Sequence, residues 1–374
     1  FNTGRGSYKV ARESSKIIDD VKSELLSLNN IKNGKVIFQT SATESLNNII
    51  FGTQISDGDN IYISPFEHNS IIRPLHELQK RKNINIHVLP FDKENWDIDV
   101  EKMNNMFVLN NPKMILLSHV SNVNGYILPY NEIFKSGKEY NSINVLDSSQ
   151  GYGVVKIEDV SNVDYIVFAG HKSLYGIFGV AGFIKLTNDE LKPYIFGGTG
   201  SDTMNPEMGK ILEAGSPNII AISSLLASID WIKKNDIYSH EKKLTDYLIN
   251  ELKKLDNIEI YLPKNNSNII GIVSINVKNY KADDVGSILD EEFNICVRTG
   301  FHCAPLIHDF LDSTNYGGTV RISLGFFTTI DEIDVLINSL KEKTPLFTAA
   351  SMKDSLLSLL AGFAAVEHHV HDDT

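Results

Sequence analysis

The stretch Asp164-Tyr165-Ile166-Val167-Phe168-Ala169-Gly170-His171-Lys172 decides the fold of this chain and gives the first expectation about its chemistry. β-Branched and aromatic residues run unbroken through 165–168, which predicts a buried strand. The strand is followed by Gly-His-Lys, so Lys172 is expected at the end of a sheet. A buried lysine is costly unless it is neutralised, for example as a Schiff base, whereas most lysines are simply exposed. This stretch alone leaves both interpretations of Lys172 open.

Composition and charge exclude several classes of protein. The 374 residues are 42% hydrophobic and 22% charged, which suits a globular protein with more than one domain. A formal charge of −12 argues against nucleic acid or an anionic membrane as the main partner. Cys296 and Cys303 are too few for a disulfide framework, so a reducing compartment is expected. The chain opens without a signal-peptide pattern and has no apolar run of bilayer length, so the expected location is the cytoplasm.

Strand-like and helix-like segments alternate in the first part of the chain. Strands are predicted at 36–38, 60–63, 114–119, 143–146, 165–168 and 180–186, with helices such as 14–28 and 71–82 among them. This alternation predicts an α/β domain with a mostly parallel sheet. Ligands of such sheets bind beyond the carboxyl ends of the strands, so functional residues are expected there.

A domain boundary is predicted at the Gly-Ser-Pro-Asn segment 215–218. Beyond it, helices are predicted at 219–234, 239–255 and 282–291, and strands at 269–277, 295–298 and 319–324. We therefore predict a large domain at 1–218, a smaller α+β domain at 219–343 and a tail at 344–374. The histidines and acids at 367–373 could bind a metal, or they could form a solvated end behind a short helix.

Polar residues follow several of the predicted strands. Ala42 and Thr43 begin a predicted helix after Ser41, where the segment could bind a phosphate or only cap the helix. His68 could stack on a flat ligand or bond within its own loop. Asn122 could donate an amide N–H to a ligand or only form a turn. None of these signals is specific alone.

Asp147 closes the apolar strand at 143–146, so its carboxylate must be paired or hydrogen-bonded. It could hold a protonated ring nitrogen, or it could cap the turn formed by 148–150. Asp147 and Lys172 follow successive predicted strands. That arrangement is typical of a pyridoxal phosphate site, in which a lysine forms a Schiff base and an aspartate pairs with the pyridinium nitrogen.

With these residues assembled, the chain resembles the class-V aminotransferases, and within them the group II cysteine desulfurases and desulfurase-like proteins. The resemblance runs from about Arg5 to Glu342. Members of the family have a further segment, before the position that corresponds to Arg5, which lines their substrate pocket. The motifs that carry it lie, in order, at 40–44, 67–69, 119–122, 147–150, 170–172, 213–218, 297–305 and 318–323. The resemblance implies pyridoxal phosphate fold type I (aspartate aminotransferase-like), with a mostly parallel seven-stranded sheet in the large domain and a smaller α+β C-terminal domain.

The resemblance also implies the cofactor, pyridoxal 5'-phosphate, and the roles of the residues at the strand ends. Lys172 would form the Schiff base and later move protons. Asp147 would keep the ring nitrogen protonated, and His68 would stack on the ring. Gln150 and Asn122 would hydrogen-bond the ring hydroxyl.

The family pattern further implies a homodimer whose active sites lie at the interface. Arg321 would clamp the substrate carboxylate, a task that suits a bidentate guanidinium, although an isolated arginine would by default form a surface ion pair. Arg298 and Arg5 would line the site, the second from across the dimer. The phosphate would be bound by Ala42, Thr43, His171 and, from the neighbouring subunit, Ser216.

Cys303 distinguishes among the reactions of this family. It lies in the loop 300–305 beside a histidine, which favours a reactive thiol over a buried one. In the desulfurase pattern its thiolate attacks the sulfur of the bound cysteine, which leaves a persulfide on the enzyme and releases alanine. Cys296 fits the ordinary role of a buried core thiol.

We therefore predict a pyridoxal phosphate-dependent cysteine desulfurase that acts on L-cysteine and passes sulfur to an acceptor protein. One alternative is another reaction of the same superfamily, namely that of a selenocysteine lyase, a C–S lyase or an aminotransferase. The other is a scaffold that binds the cofactor without catalysis. No metal, nucleic acid or membrane is expected to take part.

Overall fold

A seven-stranded sheet forms the centre of the first part of the chain. The computed structural model describes residues 6, 8–198 and 212–342, so the tail predicted at 344–374 lies outside the described residues. The strands are β1 (Lys35–Gln39), β2 (Asn60–Ile63), β3 (Asn85–Val88), β4 (Pro112–Ser118), β5 (Ile143–Asp147), β6 (Tyr165–Ala169) and β7 (Ala181–Lys185). Their order is β1-β7-β6-β5-β4-β2-β3, and β7 runs antiparallel to both of its neighbours while the other pairs are parallel. The predicted mostly parallel sheet is confirmed.

Helices cover both faces of this sheet. They are α1 (Lys9–Leu28), α2 (Ala42–Gly52), α3 (Asn69–Arg81), α4 (Val100–Leu109), α5 (Tyr130–Lys138) and α6 (Ile219–Lys234). Every residue of β6 is buried, as expected for an interior strand covered on both faces, and this is why its sequence is a continuous apolar run. Leu225 and Ile229 of α6 pack in the same apolar cluster as Ile166 of β6. Helix α6 thus packs on the large sheet although it follows the predicted boundary, and the domain limits stay a prediction.

The second part of the chain is a smaller α+β unit. Its elements are α7 (Ile237–Leu252), β8 (Ile258–Ile260), β9 (Ile272–Val277), α8 (Ala282–Phe293), β10 (Arg298–Gly300), α9 (Pro305–Phe310), β11 (Thr319–Ser323) and a last helix, α10, described over 330–342. The sheet order is β10-β11-β9-β8, and all three pairs are antiparallel. No helix of the described ranges is both long and apolar enough to cross a bilayer.

The segment before β10 corrects two expectations. The strand predicted at 295–298 is wrong, because β10 begins only at Arg298. Residues 295–297 belong to no strand. Ile295 and Val297 are half-buried against the core of the small unit, while Cys296 is exposed. Cys296 is therefore exposed, and the expectation of a buried core thiol is also wrong.

Candidate active site

The carboxyl ends of the parallel strands open into one cavity of about 340 Å³. Strands β5 and β6 are parallel neighbours, with Asp147 in register with Val167, so Asp147 and the Lys172 turn leave the same edge of the sheet. The small unit closes the other side through β11. The predicted site residues that line this cavity are His68, Asn122, Gln150, Lys172, Arg298 and Arg321.

Lys172 is half-buried in the turn that follows β6. Burial lowers the pKa of its amine, the charge of Asp147 opposes that shift, and Arg321 and Arg298 lower the pKa further. A larger share of this amine is therefore uncharged at neutral pH than in an ordinary lysine. The uncharged amine is the form that reacts with a carbonyl group.

Asp147 is only 6% exposed. Its Oδ1 accepts hydrogen bonds from the backbone N–H of Ser149 at 3.0 Å and from the Ser149 hydroxyl at 2.5 Å. The turn-capping alternative is thus realised. Both bonds use the same oxygen, and the carboxylate still acts electrostatically on Lys172 and His68. Capping and pairing with a ligand are therefore compatible here.

His68 forms the N-cap of α3, and its ring lines two cavities. Its Nδ1 accepts from the backbone N–H of Ser70 at 3.0 Å, which assigns the proton of a neutral ring to Nε2. Burial lowers the pKa of His68, with Asp147 opposing the shift, so the ring is neutral at neutral pH. A neutral ring with a fixed orientation suits stacking on a flat ligand.

Glu67, to which the sequence analysis gave no role, lies fully buried beside His68. Its carboxyl accepts from the hydroxyl of Ser64 at 2.5 Å, and from the backbone N–H and hydroxyl of Ser118 at 2.9 and 2.8 Å. Burial raises the pKa of Glu67 to about 7 despite these bonds. Glu67 therefore ties the end of β2 to the end of β4. A carboxylate four residues after a buried strand was the available signal.

Arg298 and Arg321 lie opposite each other on β10 and β11. One guanidinium nitrogen of Arg321, Nη1, donates to the carbonyl of Asn122 at 2.9 Å, while its Nε is buried without a partner. Burial and the neighbouring Arg298 lower the pKa of Arg321 to about 10, so it stays charged at neutral pH. No ion pair to Arg321 is found in the described ranges, so the surface ion pair is not its role there. A buried cationic donor that lacks an acceptor is suited to an anionic ligand.

Cys303 is exposed on a strained loop. Both Cys303 (φ 60°) and His302 (φ 49°) have left-handed backbone conformations. The loop is held by two hydrogen bonds, from the Asn69 N–H to the Cys303 carbonyl at 2.6 Å and from Asn122 Nδ2 to the His302 carbonyl at 2.8 Å. Arg298 Nη2 donates to Cys303 Sγ at 3.4 Å. The thiol thus lies beside a cation and faces a second cavity of about 380 Å³.

The histidine beside Cys303 in the sequence, His302, is not a charged neighbour of the thiol. It is buried, and its Nε2 lies 3.0 Å from the Thr319 carbonyl and 2.9 Å from the Thr319 hydroxyl. Burial lowers the pKa of His302 to about 3, with Arg321 adding to the shift, so the ring is neutral. The cation beside the thiol is Arg298 instead.

The remaining predicted site residues differ in where they lie relative to these two cavities. Ser41 accepts from the N–H of Glu44 at 3.1 Å and caps α2, so the capping alternative holds, while Thr43 lines the second cavity. The ring of His171 stacks on Phe178, with 4.6 Å between ring centroids. Four described candidates line neither cavity, namely Ala42, Asp147, His171 and the exposed Ser216. Arg5 lies outside the described residues.

The chain is similar in sequence and structure to known proteins. The family model for aminotransferase class-V matches residues 1–336. A probable cysteine desulfurase of Methanothermobacter thermautotrophicus is 30% identical over 91% of this chain and 87% of its own. A cysteine desulfurase of Wigglesworthia glossinidia brevipalpis is 33% identical over 90% of this chain and 84% of its own. The apo structure of cysteine desulfurase from Thermococcus onnurineus NA1 superimposes with a TM-score of 0.82, at 26% identity over 91% of this chain and 87% of that chain.

Proposed function

The chain belongs to the class-V aminotransferase family, and from this premise we propose that it is a pyridoxal phosphate-dependent cysteine desulfurase whose sulfur carrier is Cys303. One observation favours this reaction above the others of the family. The guanidinium of Arg298, which lines the cavity that contains Lys172, donates to the exposed thiol of Cys303, and the charge of Asp147 acts on that lysine. An aminotransferase or a lyase would need the lysine but not the thiol.

The polar groups that line the first cavity, together with the Asp147 carboxylate that acts on two of them, fit pyridoxal phosphate. The amine of Lys172 suits an aldehyde, the carboxylate of Asp147 suits a pyridine nitrogen, and the ring of His68 offers a flat surface. Asn122 and Gln150 offer amide groups for the ring hydroxyl. When bound, this cofactor supplies an electron sink for bonds broken at the substrate's α-carbon.

Arg321 would bind the carboxylate of L-cysteine. Its buried Nε lacks an acceptor in the described structure, and a carboxylate would supply one. Arg298 lies across the strand pair and lines the same cavity, so it is placed to bind the same group or to orient the thiol. A guanidinium offers two parallel N–H donors, which fixes the orientation of the substrate.

Lys172 and Cys303 would carry out the proton and sulfur steps. Because burial lowers the pKa of Lys172, its Nζ can accept a proton from the α-carbon and return it later. Cys303 Sγ forms a bond to the substrate's sulfur as the bond from that sulfur to the β-carbon breaks. The electron pair of the broken bond remains on the β-carbon, which takes up a proton. L-Cysteine and the thiol thus give L-alanine and a persulfide, and no other oxidant or reductant is needed.

The homodimer, the acceptor protein and the cytoplasmic location belong to this proposal as well. Ser216 is exposed and lines neither cavity of its own chain, as expected of a residue that serves a neighbouring subunit. Ile177, Phe178 and Ile220 are large apolar residues that are exposed, and the N–H of Ile177 donates to Ser224 of α6. An apolar surface at this place favours association of two chains.

The experiment that tests the proposal compares the two cysteines, which are both exposed. Cys303→Ala is expected to abolish alanine formation from L-cysteine, because the persulfide has no other carrier. Cys296→Ala is the matched control and is expected to retain activity. Unchanged turnover of L-cysteine in Cys303→Ala would favour a C–S lyase instead. A protein that binds the cofactor but forms no product from L-cysteine would be the scaffold.

A further inference from the structure

The turn that presents Lys172 contains a strained aromatic residue. Tyr175 has φ 55°, in the left-handed region that a bulky side chain rarely adopts. Its backbone N–H donates to the carbonyl of Lys172 at 2.9 Å, and the N–H of Gly176 donates to the carbonyl of Gly170 at 2.7 Å. The strained residue therefore closes a turn that begins at Lys172 itself. Such a conformation persists only where the surroundings hold it.

The hydroxyl of Tyr175 is held by the second part of the chain. It donates to Glu241 Oε1 on α7 at 2.8 Å and accepts from the N–H of Phe326, beyond β11, at 3.1 Å. The ring itself already packs against Trp231, with 5.1 Å between ring centroids. Packing of the ring needs no hydroxyl, so these hydrogen bonds serve to fix the position of the ring.

Glu241 is in turn held in place. It is 8% exposed, and its backbone carbonyl accepts from Thr245 Oγ1 at 2.7 Å. The same Thr245 oxygen accepts from the N–H of Gly271 at 2.9 Å. A Cβ at Gly271, where φ is +67°, would lie 3.1 Å from Glu241 Oε2, so a side chain there would crowd the carboxyl. Tyr175, Glu241 and Gly271 line the same cavity as Lys172.

We propose that Glu241 is a positioning residue for Lys172, which acts through the Tyr175 hydroxyl and sets the turn that presents the lysine amine to the cavity. The small unit thereby fixes the position of a residue that belongs to the large sheet. This inference rests on the proposed function, because it assumes that Lys172 attaches the cofactor. It concerns the formation of that attachment and not the transfer of sulfur.

The test measures how fast Lys172 attaches pyridoxal phosphate. Apo protein is mixed with the cofactor, the reaction is stopped at intervals with borohydride, and the modified Lys172 peptide is measured by mass spectrometry. Tyr175→Phe and Glu241→Ala are expected to slow the attachment about tenfold, the effect of one lost hydrogen bond. Glu241→Gln is expected to retain most of the rate, because its amide oxygen still accepts from the Tyr175 hydroxyl.

The matched control is Tyr62→Phe. Tyr62 is a buried tyrosine whose hydroxyl donates to the carbonyls of Met106 and Asn110, away from both cavities. Tyr62→Phe is expected to lower the melting temperature without changing the rate at which Lys172 attaches the cofactor. The kcat of Tyr175→Phe should fall with its attachment rate, while KM for L-cysteine stays the same.

Two results would overturn the inference. One is an attachment rate in Tyr175→Phe within about twofold of the unmodified protein. The other, which decides the matter if Tyr175→Phe does not fold, is an equal rate in Glu241→Gln and Glu241→Ala. Alanine formation by the unmodified protein tests the proposed function separately. If the unmodified protein attaches the cofactor but forms no alanine, the proposed function fails, and the order of the attachment rates still decides this inference.

Discussion

The cavity has two sides that differ in how they are built. The sheet side carries Asp147 and Lys172, which leave the ends of neighbouring parallel strands and are screened from solvent. The loop side carries Arg298 and Cys303, which are exposed on an edge strand and a strained loop. Asp147 is buried and Lys172 half-buried, which suits groups whose protonation must be controlled. The group that hands a product to another molecule is exposed.

The two sides are also held by different forces. Burial and strand pairing fix the strand ends of the sheet side, and the Tyr175 hydroxyl holds the turn at Lys172 in addition, so a substitution of Asp147 changes charge more than position. The loop side depends on individual hydrogen bonds, such as that from Asn69 to the Cys303 carbonyl at 2.6 Å. We therefore expect substitutions on the sheet side to act on bond breaking, and those on the loop side to act on substrate binding and sulfur transfer.

The largest effect is expected at Lys172. In Lys172→Ala the amine that would attach the cofactor and move protons is gone, so alanine formation should fall on the order of 10³-fold or more. Lys32→Ala removes an exposed lysine and is the control, with no expected loss. Steady-state alanine formation measures both. Near-normal turnover in Lys172→Ala would contradict the assignment of bond breaking to the sheet side.

Asp147→Asn is expected to lower kcat about 100-fold and to weaken cofactor binding, because the variant keeps the shape but loses the carboxylate charge that would pair with the ring nitrogen of the cofactor. The control is Asp159→Asn, since Asp159 accepts from the N–H two residues ahead at 2.8 Å, as Asp147 does at 3.0 Å. Titration of apo protein with the cofactor gives the affinity. Equal losses in the two variants would mean that Asp147 only caps its turn.

Beside the loop side lies Arg321, on the inner strand β11 next to Arg298. Arg321→Lys is expected to raise KM for L-cysteine about tenfold with a smaller change in kcat. A lysine keeps the charge but offers no planar pair of donors for a carboxylate. The control is Arg81→Lys, an exposed arginine whose Nε donates to Glu77 at 3.1 Å. A change confined to kcat in Arg321→Lys would place the arginine in bond breaking and contradict its assignment to the substrate carboxylate.

The smallest effect on activity is expected at Glu67, where stability is the measured quantity. Because burial raises the pKa of Glu67 to about 7, the folded protein binds a proton there between its ordinary pKa and that value, while the unfolded chain does not. Stability from this group is therefore fully present at low pH and is lost as pH rises, by about 3 kcal/mol. Glu67→Gln should flatten the dependence.

Urea unfolding at about pH 5 and about pH 8 measures this dependence. The control is Glu132→Gln on the exposed face of α5, which should keep the slope of the unmodified protein. An equal slope in Glu67→Gln and Glu132→Gln would show that Glu67 is not protonated at mildly acid pH.

The sheet side could be predicted from the sequence, and much of the loop side could not. The apolar run before Lys172 and the apolar strand before Asp147 are local signals, and a parallel sheet brings such ends together. The bond between Tyr175 and Glu241 joins residues 66 apart, and no local pattern signals it. The expected burial of Cys296 was wrong because tertiary packing decides which residues of a loop are buried.

Passage of sulfur through Cys303 can be measured in a single turnover. The protein loaded with cofactor is mixed with a single equivalent of L-cysteine in the absence of an acceptor, and both alanine and the masses of the cysteine peptides are determined. If sulfur passes through Cys303, we expect one alanine for each sulfur atom added to the Cys303 peptide, with the Cys296 peptide unchanged. Alanine formed without added sulfur on Cys303 would contradict it.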